Sequence, residues 1–306
     1  MIGIRRGVTA AAAREHSFLF GRDRMRPFYL YVPLATLFVI NVVPLVYTLY
    51  LSFTNWVLYR QPSPTFSGLG NWASILTSPP FWHSLQVELI FVIGSVALEF
   101  VLGFGMALML NREIRLREVY RSLILFPMVL PPIIAAFLWR FMLQADIGVV
   151  NYYLRFVHLD RAFLATGPSA LMTLILVDVW QYTPFVVLLL LAGLQHISPE
   201  VFQAAEVDGA NTVQRFRYVT TPLMVPTILI VVLLRIIDAL KVFPTIYVLT
   251  RGGPGSATEA LNYYAFRMAF EQSQMGYGAA LSLVVMLLSI LTAVLFIAAR
   301  RRFEQT

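Results

Sequence analysis

The sequence predicts an all-α integral membrane protein with six transmembrane helices. The chain is 58% hydrophobic and only 13% charged, whereas soluble domains carry about 25% charged residues. Its mean hydropathy is +0.73. Six apolar stretches have the length of about 20 residues that crosses a hydrocarbon core of about 30 Å. There is no cysteine, which excludes a disulfide framework and a thiolate metal site.

The apolar stretches differ in how regular they are. They occupy residues 28–53, 87–110, 122–143, 170–194, 221–240 and 278–299. The third contains Pro127, Pro131 and Pro132, and it is predicted to be kinked because proline removes a backbone donor. The domain organisation that follows is an N-terminal segment (1–27), a six-helix domain (28–300) and a short tail (301–306).

Arginines are concentrated in the N-terminal segment, in alternate loops and in the tail, which orients the chain in a membrane. They are Arg5, Arg6, Arg14, Arg22, Arg24, Arg26, Arg112, Arg115, Arg117, Arg121, Arg215, Arg217, Arg300, Arg301 and Arg302. Because basic residues collect in cytoplasmic loops, both termini are predicted to be cytoplasmic. The net charge of +7 therefore reflects topology and not nucleic-acid binding.

The predicted cytoplasmic loop at 198–218 contains signals for two short helices. Ser198 before Pro199 is a typical helix start, and Gly209 is suited to end that helix in a left-handed conformation. Asn211 and Gln214 match a second cap and its reciprocal partner. The small side chains between these signals let another protein's backbone come close. A docking segment and an ordinary connecting loop both remain open at this point.

Polar side chains within the spans are the candidates for a solute pathway, because buried ionisable groups in membranes tend to face cavities. In the fourth span Asp178, Gln181, Tyr182 and Phe185 recur at helical spacing and share one face. A carboxylate, an amide and aromatic rings suit the hydroxyls and ring faces of a sugar. Glu99, alone among apolar residues, is expected to bond a neighbouring helix, and Glu88 is given no special role.

Several motifs together resemble the inner-membrane permease subunits of binding-protein-dependent ABC importers, in their carbohydrate branch of maltose and glycerol-phosphate type. The loop at 199–223 is similar to the EAA loop of that family. The segments 44–53, 68–72, 127–139, 249–254 and 258–280 resemble other stretches of the same branch.

The resemblance implies the type I importer permease fold, in which the EAA loop forms a coupling helix seated in a groove of a separate ATPase. The coupling residues carried over are Gln203, Ala204, Ala205, Glu206, Asp208 and Gly209. Gln203 departs from the family, which usually has glutamate there, so Glu200 or Glu206 would supply the charge. By the same resemblance, Arg235 and Asp238 join the fourth-span residues in the pathway. Alternatively, these two residues only neutralise each other, being three apart.

The implied function is import of a sugar or related polyol into a bacterial cell. The implied partners are a second permease, two ATPase subunits, an extracytoplasmic solute-binding protein and the lipid bilayer. Neither nucleic acid nor a cofactor is expected. The chain has no Gly-rich loop ending in Gly-Lys-Ser/Thr, and its one lysine is Lys241, so ATP hydrolysis is expected on the partner.

Three alternative functions are considered against the sequence. A secondary transporter driven by an ion gradient is less favoured because no inverted repeat is visible. A permease for an anionic substrate such as glycerol phosphate stays open through Arg235. An intramembrane enzyme lacks a nucleophile elbow, and the scattered histidines show no metal-ligand spacing. The sequence leaves the particular sugar open.

Overall fold

The computed structural model of the chain describes residues 31–112, 115–156 and 162–303. The chain divides into two units between Leu51 and Ser52. All of α1 (Tyr31–Ser52) except its last residue belongs to the first unit, and its 22 residues span about 33 Å at 1.5 Å per residue. The segment predicted at 1–27, the first residues of the predicted span 28–53 and the end of the predicted tail (304–306) lie outside the described residues.

The second unit is helical apart from one small hairpin. The hairpin pairs β1 (Thr54–Asn55) with β2 (Thr65–Phe66). The helices are α2 (Gly70–Thr77), α3 (Pro79–Leu110), α4 (Arg117–Val129), α5 (Pro132–Met142), α6 (Val149–Arg155), α7 (Gly167–His196), α8 (Pro199–Val207), α9 (Thr212–Arg215), α10 (Thr221–Ala239), α11 (Pro244–Leu249), α12 (Leu261–Phe266) and α13 (Met275–Phe303). Two π-helical turns, at Phe216–Thr220 and Arg267–Glu271, precede α10 and follow α12.

Five of the predicted spans are confirmed as continuous helices long and apolar enough to cross a membrane. Besides α1 they are α3, α7, α10 and α13. The helix α3 begins earlier than the predicted span because Pro79 and Pro80 occupy its first positions, where the missing N–H costs no hydrogen bond. The helix α13 continues through the predicted boundary at residue 300 as far as Phe303.

The stretch predicted as the third span consists of two helices instead of one kinked helix, and this corrects the prediction from the sequence. The helices α4 and α5 meet at 95°. Pro127 stays inside α4, whereas Leu130 is extended, with φ −71° and ψ 132°, and Pro131 is extended too, with ψ 136°. The helical region is disfavoured for a residue that precedes proline, and two such residues in succession redirect the chain.

The helices α3 and α7 form the centre of the unit. Phe91 and Val96 of α3 belong to one buried cluster with Leu174 and Ile175 of α7. Gly103 lets the two helices approach, because a Cβ placed there would lie 2.7 Å from Cγ1 of Val186. Packing across this seam fixes which polar residues of the two spans face each other.

Glu88 has a structural role that the sequence did not suggest. It is fully buried, and its Oε2 accepts a hydrogen bond at 3.0 Å from the backbone N–H of Leu261. Leu261 is the first residue of α12, so the carboxylate satisfies one of the N–H groups that a helix start leaves unpaired. The contact ties α3 to the chain segment between α11 and α13.

Candidate functional site

One arginine holds three carboxylates at the centre of the helix bundle. Nε and NH2 of Arg235 donate to the two oxygens of Glu99 at 2.6 and 2.7 Å. NH2 also donates to Oδ2 of Asp178 at 2.9 Å, and NH1 donates to Oδ2 of Asp238 at 2.7 Å. We call these four residues the Arg235 cluster. The fork of the guanidinium matches Glu99 with two parallel bonds, which is the strongest geometry for such a pair.

The cluster joins three spans. Glu99 comes from α3, Asp178 from α7, and Arg235 and Asp238 lie one turn apart on α10. The guanidinium carbon also lies 4.2 Å from the ring centroid of Tyr182, a cation–π contact. The expectation that Glu99 bonds a neighbouring helix is confirmed. Arg235 and Asp238 do pair, but Arg235 also engages two carboxylates from other spans.

Because the Arg235 cluster is buried, each of its charged side chains depends on the others for compensation. The side chains of Arg235, Glu99 and Asp178 are 2%, 0% and 4% exposed, whereas that of Asp238 is 50% exposed. An unpaired charge in such surroundings is costly, so removing one member leaves the others uncompensated. Only Asp238 can change partner at low cost, because water reaches it.

A cavity of about 210 Å³ opens beside the cluster. Asp178 and Tyr182 of α7 reach it from one side, and Asp238 reaches it from the end of α10. Its remaining lining residues are Pro132, Ala239, Lys241, Val242, Pro244 and Thr245. The cavity therefore combines carboxylates, one ammonium group, a phenol and a hydroxyl against apolar walls, which can hydrogen-bond a polyhydroxylated solute.

The predicted pathway residues are not all brought together. Asp178, Tyr182 and Asp238 line the cavity, and Arg235 lies behind two of them. Gln181 is buried, and its side-chain amide donates at 3.1 Å to the carbonyl of Leu130 at the α4–α5 break. Phe185 is partly buried and is not among the residues that line this cavity.

Lys241 and Thr245 line the same cavity but were not among the predicted pathway residues. Both follow α10, where the chain turns back through Phe243 and Pro244 into α11. The sequence could have indicated Lys241, because it is the one lysine of the chain. It could not have indicated Thr245, because the position of that residue depends on the fold of the turn.

The second candidate site is the α8–α9 segment, residues 198–218. The hydroxyl of Ser198 accepts from the N–H of Glu200 at 3.4 Å, as the start signal predicts. Asn211 and Gln214 form the predicted capping box, with bonds of 2.8 and 2.9 Å. Gly209 has φ +76°, the left-handed conformation predicted for it.

The predicted coupling residues lie on α8 and in the turn that follows it. All are exposed except Ala205, which is partly buried; the exposed ones are Gln203, Ala204, Glu206, Asp208 and Gly209. Glu206 accepts a hydrogen bond from Arg215 at 3.3 Å. This pair links α8 to α9, while Gln203 and Asp208 stay on the solvent side.

A cleft of about 500 Å³ separates α8 from the ends of the long helices. Phe202 of α8 forms one wall, and Asn111 and Arg112 after α3 form another. The inner helix ends contribute Leu108 and Leu194, and the rest of the lining is Thr212, Val213, Arg215, Phe216 and Thr220. The helix α8 therefore faces this cleft through Phe202, and most of its other residues are exposed.

The sequence of the chain is similar to those of a known transport family. Residues 99–305 match the family described as binding-protein-dependent transport system inner membrane component. The trehalose/maltose transport system permease of Thermococcus litoralis is 36% identical over 90% of this chain and 94% of its own length. The trehalose transport system permease of Mycobacterium tuberculosis is 32% identical over 91% of each chain.

Two further comparisons agree with these. A probable ABC transporter permease of Sinorhizobium fredii is 41% identical over 78% of each chain. A chain in the crystal structure of a bacterial alginate ABC transporter bound to a periplasmic protein superposes with a TM-score of 0.78. It covers 93% of this chain and 98% of that one at 23% identity, a likeness that concerns the fold.

Proposed function

Because the chain belongs to the family of binding-protein-dependent transport system inner membrane components, we propose that it is a permease subunit of an ATP-driven importer. Its cargo is a sugar or related polyol, carried across the inner membrane of a bacterial cell. The main support for the proposal is sequence similarity, over nine-tenths of the chain, to a permease that is named for trehalose and maltose. A second relative is named for trehalose, so neutral disaccharides are the first cargo to test.

ATP hydrolysis belongs to separate subunits that dock on the α8–α9 segment. The chain lacks the Gly-rich loop that a common nucleotide site requires. In α8, exposed small residues beside Gln203 and Asp208 offer a surface that a groove in another protein can enclose. Gln203 can donate or accept a hydrogen bond, but it carries no negative charge with which to pair an arginine of the partner. Since Glu206 is bound by Arg215, Glu200 and Asp208 are the exposed carboxylates that can supply that charge.

The proposed assembly contains four membrane-associated subunits and one outer protein. A second permease completes the pathway, two ATPase subunits take the two coupling segments, and a solute-binding protein delivers the cargo. Both termini are cytoplasmic in this arrangement, which puts the α8–α9 segment on the ATPase side.

The helices that flank the segment give a route from the ATPase to the cavity. The helix α7 ends just before α8, and α10 begins just after the turn at Phe216–Thr220. Arg235 of α10 binds Asp178 of α7, so a displacement of the segment moves the two flanking helices together. Closure of the ATPases would then turn α7 and α10 as one lever and expose the cavity to the outside, and ATP hydrolysis would reverse this.

The cavity at Asp178, Tyr182 and Asp238 is the proposed pathway site, with Arg235 holding two of these residues in place. Gln181 and Phe185 belong to the same helical turns. In this proposal Gln181 fixes the α4–α5 break through Leu130 and acts on the pathway indirectly.

The test is reconstitution of the complex through a tag on this chain. Proteoliposomes containing both permeases and the ATPases, supplied with the binding protein, should import radiolabelled trehalose or maltose only with ATP. A matched preparation whose ATPase lacks the phosphate-binding lysine should not. Uptake by this chain without ATPase subunits, driven by a proton or sodium gradient, would replace the proposal with a secondary transporter.

A further inference from the structure

The donors of Arg235 are committed to carboxylates of the protein. Each of its three nitrogens donates to a carboxylate oxygen at 2.6 to 2.9 Å. The side chain is 2% exposed, and the ring of Tyr182 covers one face of the guanidinium. An incoming anion would have to displace Glu99, Asp178 or Asp238 to reach it. The arginine therefore cannot serve as a binding group for an anionic solute.

Carboxylates outnumber cationic groups among the residues that line the cavity. Its walls carry Asp178, Asp238 and Lys241, and Glu99 and Arg235 lie directly behind them. Two carboxylates therefore face one ammonium group on the wall, and the guanidinium of Arg235 is already engaged by its own carboxylates. A carboxylate has about four lone-pair sites, and Arg235 takes one site of the half-exposed Asp238. The remaining sites can accept hydrogen bonds from hydroxyl or ammonium groups.

The uncharged polar groups of the cavity can also hydrogen-bond a solute that carries hydroxyl or ammonium groups. Tyr182 and Thr245 line the cavity and supply hydroxyls, which donate as well as accept. At about 210 Å³ the cavity is below the roughly 300–1,000 Å³ of a site that encloses a drug-sized ligand. It would therefore hold one end of a sugar.

We infer that this cavity selects against negatively charged solutes, and that the cargo is an uncharged or amino-bearing sugar rather than a uronate or a sugar phosphate. The inference rests on the proposed function and narrows its cargo. Among the residues that the structure describes, Lys241 is the one cation on the cavity wall, and it is exposed. An anion bound to it would lie beside Asp238 and Asp178, where like charges repel strongly in a medium of low dielectric constant.

The absence of cysteine from the chain allows a direct measurement of this selectivity. Thr245→Cys, a substitution of nearly equal size, puts one thiol on the cavity wall. In the assembled complex, its rate of modification by a cationic methanethiosulfonate is compared with the rate for an anionic one. Ser63→Cys, in an exposed loop, gives the ratio expected in open solvent. If the complex that carries Thr245→Cys does not assemble, Val242→Cys places the thiol on the wall of the same cavity.

The measured quantity is the rate of modification by the cationic reagent divided by the rate for the anionic reagent. We expect this ratio to be roughly tenfold higher for the cavity thiol than for the loop thiol. Adding Asp238→Asn should bring the ratio close to that of the loop, and adding Lys241→Gln should increase it. Equal ratios in the cavity and the loop, or no modification by either reagent, would overturn the inference.

Sugars provide a second arm that separates this inference from the proposed function. Trehalose and 6-amino-6-deoxytrehalose should slow modification of the cavity thiol, whereas trehalose 6-phosphate should not. Protection by the phosphate equal to that by trehalose would overturn the charge selectivity. If no sugar protects while the preference for the cationic reagent holds, the selectivity stands and the sugar cargo of the proposed function fails.

Discussion

The Arg235 cluster and the α8–α9 segment differ in how far apart their contacting residues lie in the sequence. Arg235 reaches Glu99 across 136 residues and Asp178 across 57. In the segment, Asn211 and Gln214 are 3 residues apart, and Glu206 and Arg215 are 9 apart. The cluster is buried and depends on three spans, whereas the segment is exposed and holds its shape through local bonds.

This difference separates the consequences of changing each region. A change in the cluster should lower the stability of the whole bundle, because buried charges lose their partners. A change in the segment should alter a surface and leave the bundle intact. The Arg235–Asp178 pair is where the two regions meet, since it ties together the helices on either side of the segment.

The largest expected effect is that of Arg235→Met. It leaves the buried carboxylates of Glu99 and Asp178 without their cation, which should lower the free energy of unfolding by about 3–5 kcal/mol. Thermal or denaturant unfolding of the purified complex measures the loss. Adding Glu99→Gln should recover part of it, because one uncompensated charge is removed.

Arg215→Met is the matched control for this prediction. Arg215 also binds a carboxylate, that of Glu206, but the two side chains are 30% and 69% exposed. Pairs that water reaches contribute roughly 0–1 kcal/mol. Equal losses from the two substitutions would mean that burial does not distinguish the Arg235 cluster.

The next effect tests the seam between α3 and α7 that brings the cluster together. Gly103→Ala would place a Cβ 2.7 Å from Val186, and overpacking of this kind costs about 1–3 kcal/mol. Gly105→Ala is two residues along the same helix, with nothing within 4 Å of its Cβ. It should stabilise the helix by about 0.5–1 kcal/mol. Unfolding midpoints that shift in the same direction for both variants would argue against the close approach.

Gly209→Val should disturb coupling more than stability. At φ +76° a residue with a side chain costs about 1–2 kcal/mol, although nothing lies within 4 Å of the added Cβ. We expect the complex to assemble while sugar imported per ATP hydrolysed falls. Gly255→Val carries the same strain at φ +62°, again with open space around it, and should leave that ratio unchanged. A ratio that falls equally in both would remove the special role of the α8–α9 segment.

The smallest effect is that of Asn211→Ala, which removes the bond to the N–H of Gln214. Loss of such a cap costs typically about 1 kcal/mol. Faster tryptic cleavage at Arg215 or Arg217 should report the local opening, with the bundle's unfolding midpoint unchanged. Asn211→Ser keeps a capping oxygen and should be cleaved at the original rate; if it opens as readily as the alanine variant, the cap does not hold the segment.

The predictions from sequence succeeded where the cause was local. Ser198, Gly209 and the Asn211–Gln214 pair were predicted from residues within one turn of each other, and the structure has each of these features. The positions of five continuous spans followed from apolar length alone. The break at Leu130 was underestimated because two successive prolines act on the same backbone, and the sequence does not reveal how neighbouring helices accommodate the turn.

The contacts across spans could not be predicted in the same way. Glu99 was expected to bond some other helix, but not Arg235, because helical spacing fixes a face without fixing the rotation of one helix against another. Gln181 shares a helical face with Asp178 and Tyr182, yet its amide reaches Leu130 instead of the cavity. Glu88 gave no signal for its contact with Leu261, since the two are 173 residues apart.

The sequence by itself determined that this chain is a helical membrane protein of the ABC importer permease family, with a capped helical segment between its fourth and fifth spans. Composition, apolar length and local caps act over a few residues, and so they are legible in the sequence. Only the tertiary structure decided that Arg235 is bound by three carboxylates and that Asp178, Asp238 and Lys241 line one cavity. Those facts depend on how α3, α7 and α10 pack, which is settled by the shapes of many side chains at once.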